Sequence, residues 1–488
     1  MTQRIDPPSG SRPTVVVAGA SGYVGTALGP ALSRRFETVG LSRSSKGAGT
    51  SGYHTWRAVD LFSLRATERA LRGATFAVYL VHSMIPSDRL TQGRFEDFDL
   101  LCADNFARAA AAVGVQQIVY LGGLLPAEDL DAPLSAHLAS RLETERALAA
   151  HGVAVTTLRA GLVIGAGGSS FAIMERLVRR LPAMLCPAWT ATLAQPISLA
   201  DTVALLDACV GRDDLSGQAH DIGGPDTLTY HQMMQETARA LGLKRRMVGV
   251  PLLSPGLSRL WLSLVTGAPR ALAAPLVESL VHPMIARSLQ LQERLGLTPT
   301  PFAQALQEAL ASPTSEQPWR PQGPSSGRVR SLQRMTLPPG RDAAWAADAY
   351  MKWLPQALWP LLRVVTDEAS GECLFMMRGL KAPLLRLRLL AARSTPTRQV
   401  FVVEGGLLAQ TENARAGAGE DDAPAPLPRL EFRSVNGGEV LLAAVHDFAP
   451  RLPWFVYVCT QAIAHLVVMR LFGRHLSARA KAEAKAGR

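Results

Sequence analysis

Gly19, Gly22 and Gly25 stand at the spacing G-x-x-G-x-x-G, with Ala20, Ser21, Tyr23 and Val24 between them. Glycines so placed let a chain turn sharply and bring bare backbone against a pyrophosphate, while the N-terminus of a following helix presents amide donors to it. Other polar residues close short apolar runs. Ser42 and Arg43 follow Glu37–Leu41, with Lys46 just beyond and no acid nearby. A cation there suits a ribose 2′-phosphate, which points to NADP in preference to NAD. Asp60 and Leu61 end the run from Ala58, where Asp60 either accepts a bond from an adenine amino group or caps the helix beginning near Ser63. Val81, His82 and Ser83 end the run from Phe76, so they belong at the wall of the same crevice.

The elements that must hold these residues follow from periodicity. Val15–Ala18 is a β-branched run directly before the glycines, and the stretch after them is helical. Strands are expected at 37–43, 58–61, 76–81 and 117–121, the last ending in Gly122 and Gly123, with a helix over 96–113. A sixth strand at 155–158 leads to a turn holding Gly165, Gly167 and Gly168 and a helix from about Phe171, so 167–171 is expected to line a substrate pocket. This alternation predicts an α/β fold of Rossmann type, a doubly wound parallel sheet.

Length, charge and cysteines bound the rest. A chain of 488 residues calls for two or three domains. Cys102, Cys186, Cys209, Cys373 and Cys459 have no paired spacing, which fits a reducing, cytoplasmic setting and neither a disulfide framework nor a zinc site. The polar start, Met1–Pro13, is no secretory signal. The net charge is +11, and after Met469 six cations oppose Glu483 alone, a net +5 in the last stretch. Charge so localised does not mark a nucleic-acid binder. It suits either simple solvation of the C-terminus or peripheral contact of the C-terminal helix and basic tail with an anionic membrane. No metal site, P-loop or nucleophile triad is evident in the spacing of the remaining polar residues.

Together these motifs resemble the atypical branch of the short-chain dehydrogenase/reductase superfamily, which holds NmrA-like and complex I accessory-subunit-like proteins. Tyr79–Met84 (Tyr-Leu-Val-His-Ser-Met) and Leu158–Gly167 (Leu-Arg-Ala-Gly, then Gly-Ala-Gly) are similar to segments of two-domain bacterial NAD(P)-binding proteins of the YbjT type. Active members of the superfamily pair Tyr-x-x-x-Lys, the lysine easing proton transfer through the tyrosine. Here the registered pair is His137-x-x-x-Arg141, on a helix from about Ser135, and glycines stand where a serine is usual. The resemblance implies an NADP(H)-binding oxidoreductase with His137 and Arg141 as its candidate catalytic residues, acting on a bulky apolar carbonyl or conjugated alkene. The departure from the usual pair keeps open a non-enzymatic NADP(H)-binding redox sensor or structural protein that contacts a partner or membrane.

A free N-terminus covers 1–13 and an NAD(P)-binding domain 14–311. Within it a small substrate subdomain begins near His220, and Asp201 is read as a helix cap. Thr229 caps a helix reaching about Leu241, and 252–282 reads as an apolar lid. A linker occupies 312–328. From 329 to 480 the order is a strand, a helix over 342–354, strands at 372–378, 384–392, 398–408, 429–434 and 439–444, a loop at 412–428, and one long buried helix over 453–484. The resemblance implies a helix-grip (START-like) domain there, with an apolar small-molecule or lipid-like ligand. Arg386, Arg388 and Arg393 read as solvated positions on an edge strand. Residues 481–488 form a basic tail.

Overall fold

The computed structural model describes residues 12–43, 52–82, 91–126, 134–250, 278–312, 328–367, 369–410 and 427–486. The chain forms two compact units: Met1–Ile85 with Asp99–Pro321, and Pro86–Phe98 with Gln322–Arg488. The expected lid at 252–282 and the loop at 412–428 fall largely outside the described residues, as does Ser83.

The first unit is built on seven parallel strands: β1 (Thr14–Ala18), β2 (Glu37–Ser42), β3 (Thr55–Ala58), β4 (Phe76–Tyr79), β5 (Gln117–Gly123), β6 (Ala154–Ala160) and β7 (Ala219–Ile222). Their order is β7-β6-β5-β4-β1-β2-β3. Val15, Val16 and Val17 in β1 and Ala77 and Val78 in β4 have no exposed surface. That is the mark of central parallel strands covered by helices on both faces. The covering helices include α1 (Tyr23–Leu32), α2 (Leu64–Leu71), α3 (Phe95–Val113), α4 (Ala136–Ala149) and α6 (Leu199–Cys209). Ser63 caps α2, its hydroxyl accepting from the Ala66 amide, and Ser135 caps α4 through the Leu138 amide. A smaller core gathers α5 (Ser169–Arg180), α7 (Tyr230–Ala240) and α8 (Phe302–Ala311) around Phe171, Met174, Met233 and Phe302.

Three expectations are corrected here. The third strand runs over Thr55–Ala58 and ends where 58–61 was expected to begin. Asp60 accepts the Phe62 amide at 3.1 Å, a tight turn that cannot stay in the ladder. His220 lies in β7, paired with β6, so it completes the large sheet instead of opening the small subdomain. Ser198, not Asp201, caps α6, and the Asp201 carboxylate accepts both the Thr300 amide (2.8 Å) and its hydroxyl (2.9 Å).

The second unit carries β8 (Val329–Thr336), β9 (Leu362–Asp367), β10 (Glu372–Met377), β11 (Leu385–Leu389), β12 (Arg398–Gly405), β13 (Arg429–Val435) and β14 (Val440–Phe448). They pair antiparallel in the order β9-β10-β11-β12-β13-β14-β8, and the two-residue strand Thr91–Gln92 adds in parallel at β8. α9 (Ala343–Ala357) is capped by Asp342, which accepts the Trp345 amide at 2.8 Å. β11 is interior, so its arginines do not solvate an edge. Arg386 pairs with Glu372 on β10 (3.3 Å) and Arg388 with Glu404 on β12 (2.6 Å).

The C-terminal helix is two helices, α10 (Trp454–Cys459) and α11 (Gln461–Ala486), broken at Thr460 (φ −126°, ψ −80°). It is not buried as a whole. One stripe, Ala462, Met469, Phe472 and Leu476, packs into a core with Tyr350 and Phe432. α11 comes close to β8 at Gly473, where a Cβ would stand 3.0 Å from Met335 Cγ.

Inside the sheet Glu431, Arg433 and His446 are each 1% exposed. Glu431 accepts from Arg433 (Nε, 2.8 Å) and from Arg398 through both oxygens at 3.0 Å. Burial alone would raise its carboxyl pKa, but Arg433, Arg398 and His446 outweigh that and hold it well below the usual range.

Candidate functional site

The strand-to-helix turn after β1 is as tight as backbone allows. Gly19 has φ +87°, and a Cβ there would sit 3.1 Å from the Leu80 carbonyl. The Gly19 and Ala20 amides both donate to Leu41 O at 3.2 Å, tying the turn to the end of β2. Gly22 donates to Gly19 O at 2.9 Å and occupies the N-cap of α1 in extended geometry. Gly25 needs its missing side chain most. A Cβ there would lie 2.2 Å from Gly19 O and 2.8 Å from Ala20 Cα. No side chain caps α1 and no acid stands in its first turn, so the positive end of the helix is left for an external acceptor. Ser21 is exposed there, and Val24 packs inward against the core of the sheet.

This turn sits between β1 and β4, where the strand order reverses and ligands of doubly wound sheets bind. At the end of β2, Ser42 O accepts the Val59 amide at 2.7 Å, and Arg43 is exposed with no ion-pair partner among the described residues. The Leu61 carbonyl accepts from Asn105 Nδ2 at 2.8 Å, which anchors the segment holding Asp60 to α3. Val81 and His82 are half-buried at the end of β4.

His82 Nδ1 lies 2.8 Å from Asp99 Oδ2, and the carboxylate is 3% exposed. Asp99 was not legible as a site residue. It reaches His82 only because α3 runs back across the sheet end. The His82 ring centroid is 4.9 Å from that of His137. Burial first, then His82 and Arg141, pushes the His137 pKa well below the ordinary histidine range, so this imidazole is neutral at pH 7. Arg141, one turn on, donates to Leu121 O, and its guanidinium lies 5.1 Å from the Tyr120 ring centre. The Tyr120 hydroxyl donates to Arg141 O at 3.2 Å. Arg141 is therefore already engaged by β5.

The second glycine turn also meets the first. Tyr23, at the start of α1, lies over it: a Cβ on Gly165 would be 2.3 Å from the Tyr23 hydroxyl, and one on Gly168 3.0 Å from its ring. Burial raises the Tyr23 pKa, so the phenol stays neutral. Of the segment 167–171, expected to line a substrate pocket, Phe171 is 1% exposed and packs in the small core.

No family model matches the chain. A curated relative, the auxiliary protein GraX of Staphylococcus aureus, is 30% identical over 113 residues, which cover 23% of this chain and only 37% of that protein's length. Among solved structures the chain is similar to an NADPH-dependent quinone oxidoreductase of Escherichia coli complexed with NADPH (22% identity, 60% of this chain and 98% of that one, TM-score 0.49). It is also similar to the Citrobacter sp. triphenylmethane reductase complexed with NADP(H) (17% identity, 61% and 99%, TM-score 0.48). At these identities and scores no property of those proteins transfers to this chain.

Proposed function

We propose that the first unit binds NADP(H) and uses it to reduce a bulky apolar carbonyl or conjugated alkene. The observation that carries the binding is the glycine turn. Gly25, whose Cβ would lie 2.2 Å from Gly19 O, lets the turn's backbone pack directly on the first turn of α1, at the uncapped end of that helix and at the switch point of the sheet. Tyr23, Val24 and their neighbours in the first turn hold the pyrophosphate by backbone amides. Arg43 meets the 2′-phosphate, which favours NADP over NAD. Asp60 and Leu61 border the adenine, and Val81 and His82 form the wall beneath the ring. The bound nicotinamide supplies the hydride.

The chain's own part is positional and electrostatic. A neutral His137 lends an N–H to the substrate oxygen as negative charge builds there. Asp99 fixes the neighbouring His82 ring. Arg141 shapes the pocket floor from its place on Leu121 O.

One observation favours a second reading, a redox-sensing or structural NADP(H) binder. Arg141 is held by β5, and no Tyr-x-x-x-Lys pair stands beside it. NADPH fluorescence followed with a panel of apolar ketones and enals separates the two. Turnover that His137→Ala abolishes while NADPH affinity is kept supports the reductase. Tight binding without turnover on any substrate supports the sensor. Absence of NADPH binding sinks both.

For the second unit, the order of strand, helix, antiparallel strands and a closing helix supports a helix-grip (START-like) domain. Its ligand would be an apolar small molecule or lipid. Native mass spectrometry of the purified chain tests this, and repeated absence of any co-purified apolar mass counts against it.

A further inference from the structure

We infer that the outward face of α10 and α11 is a docking surface for an anionic phospholipid bilayer, inclined so that its apolar N-terminal end dips into the acyl layer and its basic end meets the phosphates. The face opposite the buried stripe is segregated along its length. Toward the N-terminal end it exposes Trp454 (41%), Phe455 (73%), Ile463 (53%) and Val467 (46%). An 18-residue window within Trp454–Glu483 is long and apolar enough to cross a membrane, yet only 22% of it is buried. From Arg470 onward the same face turns basic.

Arg470, Arg474 and Lys481 border a groove of about 560 Å³ between α11 and β8, whose other wall includes Gln333 and Thr336. None of these three cations has an ion-pair partner among the described residues, whereas Arg479 is used locally on Glu483 and the Trp345 ring. An apolar end flanked by aromatics, followed within one turn by unpaired cations, matches the two layers of a bilayer surface: acyl chains, then phosphates. A soluble protein partner would have no reason to ask for this lengthwise order.

The helix does not span. Met469, Phe472 and Leu476 are 0–1% exposed in the domain core, and Phe472 lies 5.1 Å from Tyr350. Inserting α11 across a bilayer would strip that core. Thr460 breaks the run, so α10 can lie along the interface on its own.

The full chain is sedimented with phosphatidylcholine vesicles, with and without phosphatidylglycerol. Binding is expected only with the anionic lipid and should fall steeply with salt. Arg470→Glu with Arg474→Glu should weaken it at least about 25-fold, since each lost cation near such a surface is worth about fivefold. Ile463→Ser with Val467→Ser should also abolish binding, and because both side chains are exposed the melting temperature should stay that of the parent. Equal binding to neutral and anionic vesicles, or none, overturns the inference. So does a solution dimer that the serine variant dissolves, which would mean a second copy covers the face. Retention in membranes after alkaline carbonate would mean a true span and overturns it as well.

Discussion

Gly25→Ala tests whether the turn after β1 is built for a pyrophosphate. The added methyl would start 2.2 Å from Gly19 O and 2.8 Å from Ala20 Cα, both backbone atoms that cannot swing aside. Ordinary contact begins near 3.4 Å. The first turn of α1 must therefore back away by about 1 Å, a strain in the range of overpacking, about 1–3 kcal/mol. For a unit of this size that lowers the melting temperature by several degrees. The same displacement pulls the first-turn amides away from the phosphate oxygens. Losing even one charge-assisted bond, worth about 1.5–3 kcal/mol, weakens NADPH by about tenfold or more. Fluorescence titration with NADPH and a thermal melt of the apo protein read the two effects separately. A variant that melts like the parent refutes the packing account. One that melts lower but binds NADPH unchanged refutes the assignment of the turn to the cofactor.

Other substitutions probe single contacts. Arg43→Glu should weaken NADPH by about 10- to 100-fold while leaving NADH nearly unchanged, because only the former carries the 2′-phosphate. Equal losses for both, measured by competitive titration, would remove that role. Glu431→Gln leaves Arg433 and Arg398 buried against a neutral partner and should cost about 3 kcal/mol, read as a lower urea midpoint. An unmoved midpoint would mean the cluster is not coupled to folding. His465, half-buried with Nε2 3.2 Å from the Ser331 hydroxyl, has its pKa lowered by burial to about 4. The unfolded chain takes up that proton near pH 6.5, so His465 costs nothing above pH 6.5 and destabilises progressively as pH falls toward 4, by up to about 3 kcal/mol. His465→Asn should flatten that part of the acid decline in melting temperature. His137 and His446, also shifted down, keep some slope. An identical decline in parent and variant would show that His465 does not titrate as described.

The sequence was most legible where structure is set locally. The glycine spacing, the β-branched run before it, the cap at Thr229 and the helix starts near Ser63, Ser135 and Asp342 each depend on residues within one turn of one another, although Ser63 and not Asp60 caps the helix after β3. Readings failed where a distant partner decides. Asp201 looks like a cap until Thr300 comes back to meet it across 99 positions. His220 reads as the start of something new because a late strand joining a sheet edge carries no mark of its destination. Leu362–Asp367 was not foreseen as a strand, being an edge exposed over most of its length. Arg386 and Arg388 suggest an edge by their charge, but glutamates on both flanking strands make an interior position tolerable. The helix at the C-terminus was expected to be buried from its apolar composition and the helix-grip order, neither of which distinguishes a buried stripe from an exposed apolar face. In the candidate site, the glycine turn lies within seven residues, whereas the His82–Asp99 contact and the seat of Tyr23 against Gly165 need the folded sheet.

The short strand Thr91–Gln92 has a consequence for how the second unit can be made. It pairs with β8 at Arg330 and Ser331 and so covers the backbone groups at that end of the sheet margin. Yet it is synthesised about 240 residues before its partner, a loop whose closure entropy grows only slowly with length. During translation the strand must wait until nearly the whole first unit has emerged. A fragment beginning at Arg328 would fold, if it folds, with β8 uncovered and its amides and carbonyls open to any other strand. Such a fragment should self-associate, and supplying residues 86–98 in trans should suppress it. The second unit is thus a domain in space but not in the gene's linear order, and cutting the chain at the apparent linker would divide it.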